Sequence, residues 1–182
     1  MDHLIPDFLV VPFQKALSHY PELHQLEIRL KIMHRPGTST MSARPTLATL
    51  LLGPQSRTYL IRVSPAVRLG NKLEELPALP EDVLIGWFGH ELGHIKDYTH
   101  CSGIDMAGFG LKYLLSPSFR RAAEFRADYF AVENGLQEYI LRTKHYILHE
   151  ADIPPAYKAR IRKYYCSPEE IEALVQELAG EA

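Results

Sequence analysis

Residues 83–96, VLIGWFGHELGHIK, set two histidines and a glutamate inside an otherwise apolar run. Val83, Leu84, Trp87, Phe88 and Ile95 recur at helical spacing, so the run reads as a helix that packs against a core. Residues four apart on a helix stand on one face, so His90 and His94 present two imidazole nitrogens to a single ion. Glu91, one position on, points its carboxylate at water held by that ion, and Leu92 and Gly93 between the histidines are uncharged, as burial requires. Any fold that buries this helix must bring a third ligand from another element, because one helix face cannot enclose a cation.

Residues 117–134, PSFRRAAEFRADYFAVEN, supply the candidate. Glu124 and Asp128 lie four apart on one helical face, among Ala122, Ala123, Phe125, Ala127, Phe130 and Ala131. A His90/His94/Glu124 set, with Asp128 accepting the free N–H of a ligand histidine, makes a complete site for one Zn2+ per chain. The competing reading is a solvated helix face that pairs these acids with Arg120, Arg121 or Arg126.

The 182 residues suit one domain, 1–182, with a core of ordinary size. Its net charge of −2 gives no field for nucleic acid, and none is expected as a partner. Cys101 and Cys166 form no Cys-x-x-Cys pair, which favours a reducing compartment. No signal peptide is expected in MDHLIPDFLVVPFQK, and no apolar stretch approaches the length of a membrane span, so the expected location is cytoplasmic.

Residues 7–19 read as an amphipathic helix bent at Pro12 and closed by Pro21. LEIRLKI at 26–32 alternates strictly, the pattern of a half-buried strand, which Arg35-Pro36-Gly37 breaks. TLATLLL at 46–52 and TYLIRV at 58–63 read as further strands joined at Gly53-Pro54. Pro80 opens the HELGH helix, and others are expected from Ser116-Pro117 to Asn134-Gly135, over 136–149 and from Pro154-Pro155. Ser167-Pro168-Glu169-Glu170 is a capping box for the last. The expected class is α+β and zincin-like, with a helix and small antiparallel sheet over 1–65 and a helical part carrying the zinc site over 66–182.

FGHELGHI followed by AEFRADYFAVENG resembles the gluzincin metalloproteases, above all the family of the CAAX prenyl proteases and the bacterial heat-shock membrane proteases. The resemblance covers roughly residues 58–165. It implies zinc on His90, His94 and Glu124, Glu91 as catalytic base, and Asp128 orienting a ligand histidine. An Asn-Ala segment common in that family has Ser42-Ala43 as its nearest match here. A His-Pro-Pro segment followed by Arg-Ile is represented by Ile153-Pro154-Pro155 and Arg160-Ile161, with His149 as a stand-in for the absent histidine. The family's membrane spans are missing.

The expected activity is zinc-dependent hydrolysis of a peptide or protein substrate, with Glu91 moving the proton. Donors for the oxyanion are sought among His149, Tyr146, Tyr157 and Arg160, with His149 and Arg160 preferred. The peptide is expected along a sheet edge at 46–52 or the segment leading into it. Segment 103–115 or the C-terminal helix at 168–179 is expected to cover the cleft. Two alternatives remain open. One is a non-catalytic zinc module closed by a fourth ligand such as Cys101. The other is an interaction protein that uses the basic residues Arg142, Lys144, Lys158, Arg160, Arg162 and Lys163.

Overall fold

A computed structural model describes residues 5–34, 39–69, 72–151 and 155–181. Helix α1 (Asp7–Ser18) leads into strands β1 (Glu27–Ile32), β2 (Met41–Pro45) and β3 (Thr58–Val63), then a hairpin of β4 (Ala66–Leu69) and β5 (Lys72–Glu75). Helices α2 (Glu81–Thr99), α3 (Gly103–Leu115), α4 (Pro117–Glu133), α5 (Gln137–His145), α6 (Pro155–Tyr164) and α7 (Pro168–Glu181) follow. The class is α+β, with a small sheet ahead of a mainly helical part. The breaker Arg35-Pro36-Gly37, and Pro154 at the expected start of α6, lie outside the described residues.

The sheet is mixed rather than antiparallel. β3 is its central strand, parallel to β1 and antiparallel to β2, so that β2 forms one edge. β1 turns Ile28, Leu30 and Ile32 inward by half, as its alternation requires, while Tyr59, Ile61 and Val63 of β3 are fully buried. The hairpin at 66–75 extends strand structure beyond residue 65, into the part expected to be helical.

Segment 46–52 is not a strand. The chain leaves the ladder after Thr46, whose N–H donates to the Thr58 carbonyl at 2.8 Å, and turns through a 3-10 helix at Leu47–Thr49. The threonine side chains cause this. The Thr46 and Thr49 hydroxyls bond each other at 2.7 Å, and the Thr58 N–H donates to Oγ1 of Thr49 at 3.0 Å, where a strand carbonyl would otherwise accept it. Leu47 and Leu51 are left 85% and 72% exposed. The pairing strand is instead the unpatterned MSARP of β2.

Helix α2 is buried along nearly its whole length, with α1, α4, α5 and β2 around it. Small residues permit that crowding. A Cβ at Gly93 would meet the Ala127 carbonyl oxygen of α4 at 2.2 Å, and one at Gly86 would meet the Tyr139 carbonyl oxygen of α5 at 2.3 Å. Beyond that contact, Arg126 of α4 grips Asp97 of α2 through two hydrogen bonds of 2.9 Å. α4 ends at Gly135, whose φ of +78° allows the Leu136 N–H to reach the Ala131 carbonyl at 2.9 Å. The expected capping box on α7 forms, with Ser167 N–H on Glu170 Oε2 at 2.8 Å and Glu170 N–H on Ser167 Oγ at 3.2 Å. α7 packs on α4 and α5 with Ile171 and Leu174 buried, so it belongs to the core and is not a lid.

Arg57 precedes β3 and is buried with no carboxylate paired to it among the described residues. It donates to the carbonyls of Leu52, Tyr98 and Cys101 at 2.9, 3.0 and 2.8 Å, closing the C-terminal end of α2 over the 46–57 loop. Arg57→Met removes all three charge-assisted bonds and strands their carbonyls, lowering unfolding stability by about 3 kcal/mol in a urea titration.

Candidate metal centre

The helices bring His90 and His94 of α2 against Glu124 of α4. Nε2 of His90 lies 3.0 Å, and Nε2 of His94 3.3 Å, from the same atom, Oε2 of Glu124. Donors held about 2.0–2.2 Å from a tetrahedral cation stand about 3.3 Å apart, so these spacings fit a single ion. Among the described residues this is the one group of three such donors within 4.8 Å of one another, and it is buried throughout. The group could hold a metal ion.

The second nitrogen of His90 limits what can lie between these atoms. Its Nδ1 is 2.8 Å from Oδ1 of Asp128, and an ionised carboxylate only accepts, so Nδ1 carries hydrogen. Neutral His90 therefore turns the lone pair of Nε2 toward a carboxylate oxygen. Two acceptors face each other at 3.0 Å only across a proton or a metal ion. Burial lowers the proton affinity of His90, but Asp128 and Glu124 outweigh it and raise its pKa to about 10. The field that holds a proton so firmly is one that also draws a divalent cation.

The acids are tuned by the same set. Burial opposes ionisation of Glu124, yet the imidazoles of His94 and His90 hold its carboxyl well below the carboxylate range. Asp128 is likewise buried, and the Lys144 ammonium, 2.8 Å from its Oδ2, together with His90 keeps it ionised. Lys144, itself buried, comes from α5, so three helices meet at Asp128. His94 is held differently: its ring stacks on Tyr98 at 6.0 Å, and its buried Nδ1 meets no partner among the described residues.

Glu91 faces the sheet edge. Its Oε2 accepts the Ala43 N–H of β2 at 2.5 Å, and Tyr98 donates its hydroxyl to the Ala43 carbonyl at 3.3 Å. The ladder explains why these groups are available. Thr40 and Thr46 bond to β3, so alternate residues Met41, Ala43 and Pro45 turn their main chain outward. Burial raises the Glu91 pKa, against the lowering pull of both histidines and the Ala43 N–H.

An open cleft of about 610 Å³ lies over this group, between the outer edge of β2 and helix α3. Arg160 lines it, as do Tyr113 and Tyr165. His149 does not join the site. The turn Tyr146–Glu150 buries Tyr146 and Ile147 and leaves His149 exposed, its ring 4.9 Å from that of His145. Tyr146 packs under Arg142, and the side chain of Tyr157 lies outside the described residues. Cys101 also stays apart, its Sγ 3.9 Å from the Asp97 carbonyl. The basic C-terminal set is dispersed: Lys144 is buried on Asp128, Arg142 pairs with Asp82 and Glu150, and Lys158 donates to the Leu148 carbonyl.

Three residues at the centre carry no motif. Tyr113, Lys144 and Tyr165 approach it from α3, α5 and the end of α6, and only the 106/109/113 apolar spacing hinted that Tyr113 faces inward. No protein-family model, curated protein or solved structure matches this chain. No helix among the described residues is long and apolar enough to cross a membrane.

Gly93→Ala tests whether helix approach governs the donor set. The added methyl, placed 2.2 Å from the Ala127 carbonyl oxygen, pushes α2 from α4 and separates the histidines from Glu124. Chelator competition is expected to show metal affinity reduced at least about 10-fold, a loss like that from disturbing ligand support.

Proposed function

We propose that this chain is a zinc-dependent metallopeptidase of the gluzincin kind, in which His90, His94 and Glu124 hold the metal and Glu91 is the general base. The observation that carries the reading is the placement of Glu91. Its carboxylate is buried beside the three donors, hydrogen-bonded to an edge strand, and open to the same cleft. The likeness of FGHELGHI and AEFRAD to gluzincin motifs supports it.

Zinc held by these residues supplies Lewis acidity and lowers the pKa of bound water from about 15.7 to about 7. Glu91 then does the proton work. One carboxylate oxygen is fixed by the Ala43 N–H, and the other is left to take a proton and return it to the leaving amine. Arg160, on the cleft wall, is the preferred candidate that lines the cleft, as a donor to the developing oxyanion would, a role typically worth about 3–4 kcal/mol.

The outer edge of β2 offers a substrate main chain the outward groups of Met41, while the Ala43 N–H is held by Glu91 and Pro45 has no N–H. Opposite this edge, Met106, Leu111 and Leu114 of α3, with Leu47 and Leu50, make an apolar wall. We read the substrate as an extended peptide with large apolar side chains near the scissile bond. A closed structural site would take a fourth protein ligand; here three donors converge beneath an open cleft.

Two measurements test this reading. Glu91→Gln is expected to retain bound metal by elemental analysis while cleavage falls by about 10²–10⁴-fold; undiminished cleavage would remove Glu91 from the chemistry. A peptide-library digest read by mass spectrometry is expected to return sites flanked by Leu, Phe or Met. Cleavage indifferent to side-chain polarity would argue against the apolar wall as a specificity element.

A further inference from the structure

Glu124 uses its two oxygens differently. Oε2 converges with the imidazoles, 3.0 Å from His90 Nε2 and 3.3 Å from His94 Nε2. Oε1 accepts a hydrogen bond from the hydroxyl of Tyr113, which reaches in from α3. Glu124 is 1% exposed, so bulk water has little access to Oε1 as a substitute donor.

A carboxylate binds a divalent cation through one oxygen or through both. At a centre with three protein ligands, the second oxygen takes the position that water or substrate needs. A donor fixed on Oε1 opposes that swing, because turning Oε1 to the cation breaks its hydrogen bond. We propose that Tyr113 is a positioning residue of the metal centre: its hydroxyl holds Oε1, so that Glu124 ligates through Oε2 alone and the fourth position stays open. This inference rests on the metal reading above.

Tyr113 is itself held in place. Arg120 of α4 donates Nε to the Tyr113 carbonyl at 3.1 Å, and its guanidinium lies 5.1 Å from the ring centroids of both Tyr113 and Tyr164. The ring also stacks on Phe109 at 6.4 Å. These contacts use the ring and the main chain. Tyr113→Phe therefore keeps them and removes the donor alone.

The parent and Tyr113→Phe are loaded with Co2+, and their visible spectra and X-ray absorption are compared. The parent is expected to give the intense bands of a four-coordinate ion with one glutamate oxygen. The variant, with parent-like far-UV circular dichroism, is expected to give the weaker bands of a five-coordinate ion, with peptide kcat reduced about 10–100-fold at near-constant KM. Identical spectra for the two proteins overturn the role of Tyr113 and leave the metal site standing. A carboxylate bound through both oxygens in the parent does the same, and that measurement needs no variant. A parent that takes up no Co2+ overturns the metal reading, and the role of Tyr113 falls with it.

Discussion

The contact between Gly93 and Ala127 is the constraint from which the rest of the centre follows. Two helices seldom approach so closely that one backbone carbonyl occupies the space of a Cβ on the other. Here α2 has only hydrogen at that point, and α4 meets it with Ala123, Ala127 and Ala131, all fully buried. Imidazoles on α2 and carboxylates on α4 are short enough to meet only because the axes are drawn together. The Asp97–Arg126 pair, one turn past His94, then fixes how far α4 slides along α2. A shift by one turn, about 5.4 Å, would carry Glu124 out of reach of both histidines.

Much of this was legible because local chemistry and global packing agree. The HELGH helix, the acid helix with its glycine stop, β1 with its alternation and the capping box of α7 all form over the segments that their patterns mark. Where the pattern misled, tertiary pairing overrode it. TLATLLL carries a strand-like composition, but two threonine hydroxyls take over its hydrogen bonding, and the short MSARP segment pairs with β3 in its place. Strand direction was not readable either, since a period of two is the same in parallel and antiparallel ladders. His149 could not be placed from spacing, because the wide turn at 146–150 rotates it away from the face that α5 presents inward. Lys144 was illegible for another reason: it meets the centre from a separate helix, and a single residue making a distant contact leaves no periodic trace; the spacing that Tyr113 shares with Met106 and Phe109 marks a packed face and not a contact with Glu124.

The charge balance of the buried centre argues for what belongs in it. Glu91, Glu124 and Asp128 are all buried, and Lys144 is the permanent cation buried among them. Three carboxylates against one ammonium leave two negative charges uncompensated, a state that desolvation makes costly. Protons compensate in part: His90 binds one strongly and Glu91 is shifted toward holding one. A divalent cation would bring both charges at once and take the place of the proton on His90 Nε2, while the Nδ1 hydrogen stays on His90 and donates to Asp128. Lys144 limits this pull. By pairing with Asp128 it keeps that carboxylate from drawing the Nδ1 proton off His90, so the histidine would ligate a cation as neutral imidazole and leave the ion its acidity. The buried lysine thus completes the electrostatics of a centre whose other members all favour positive charge.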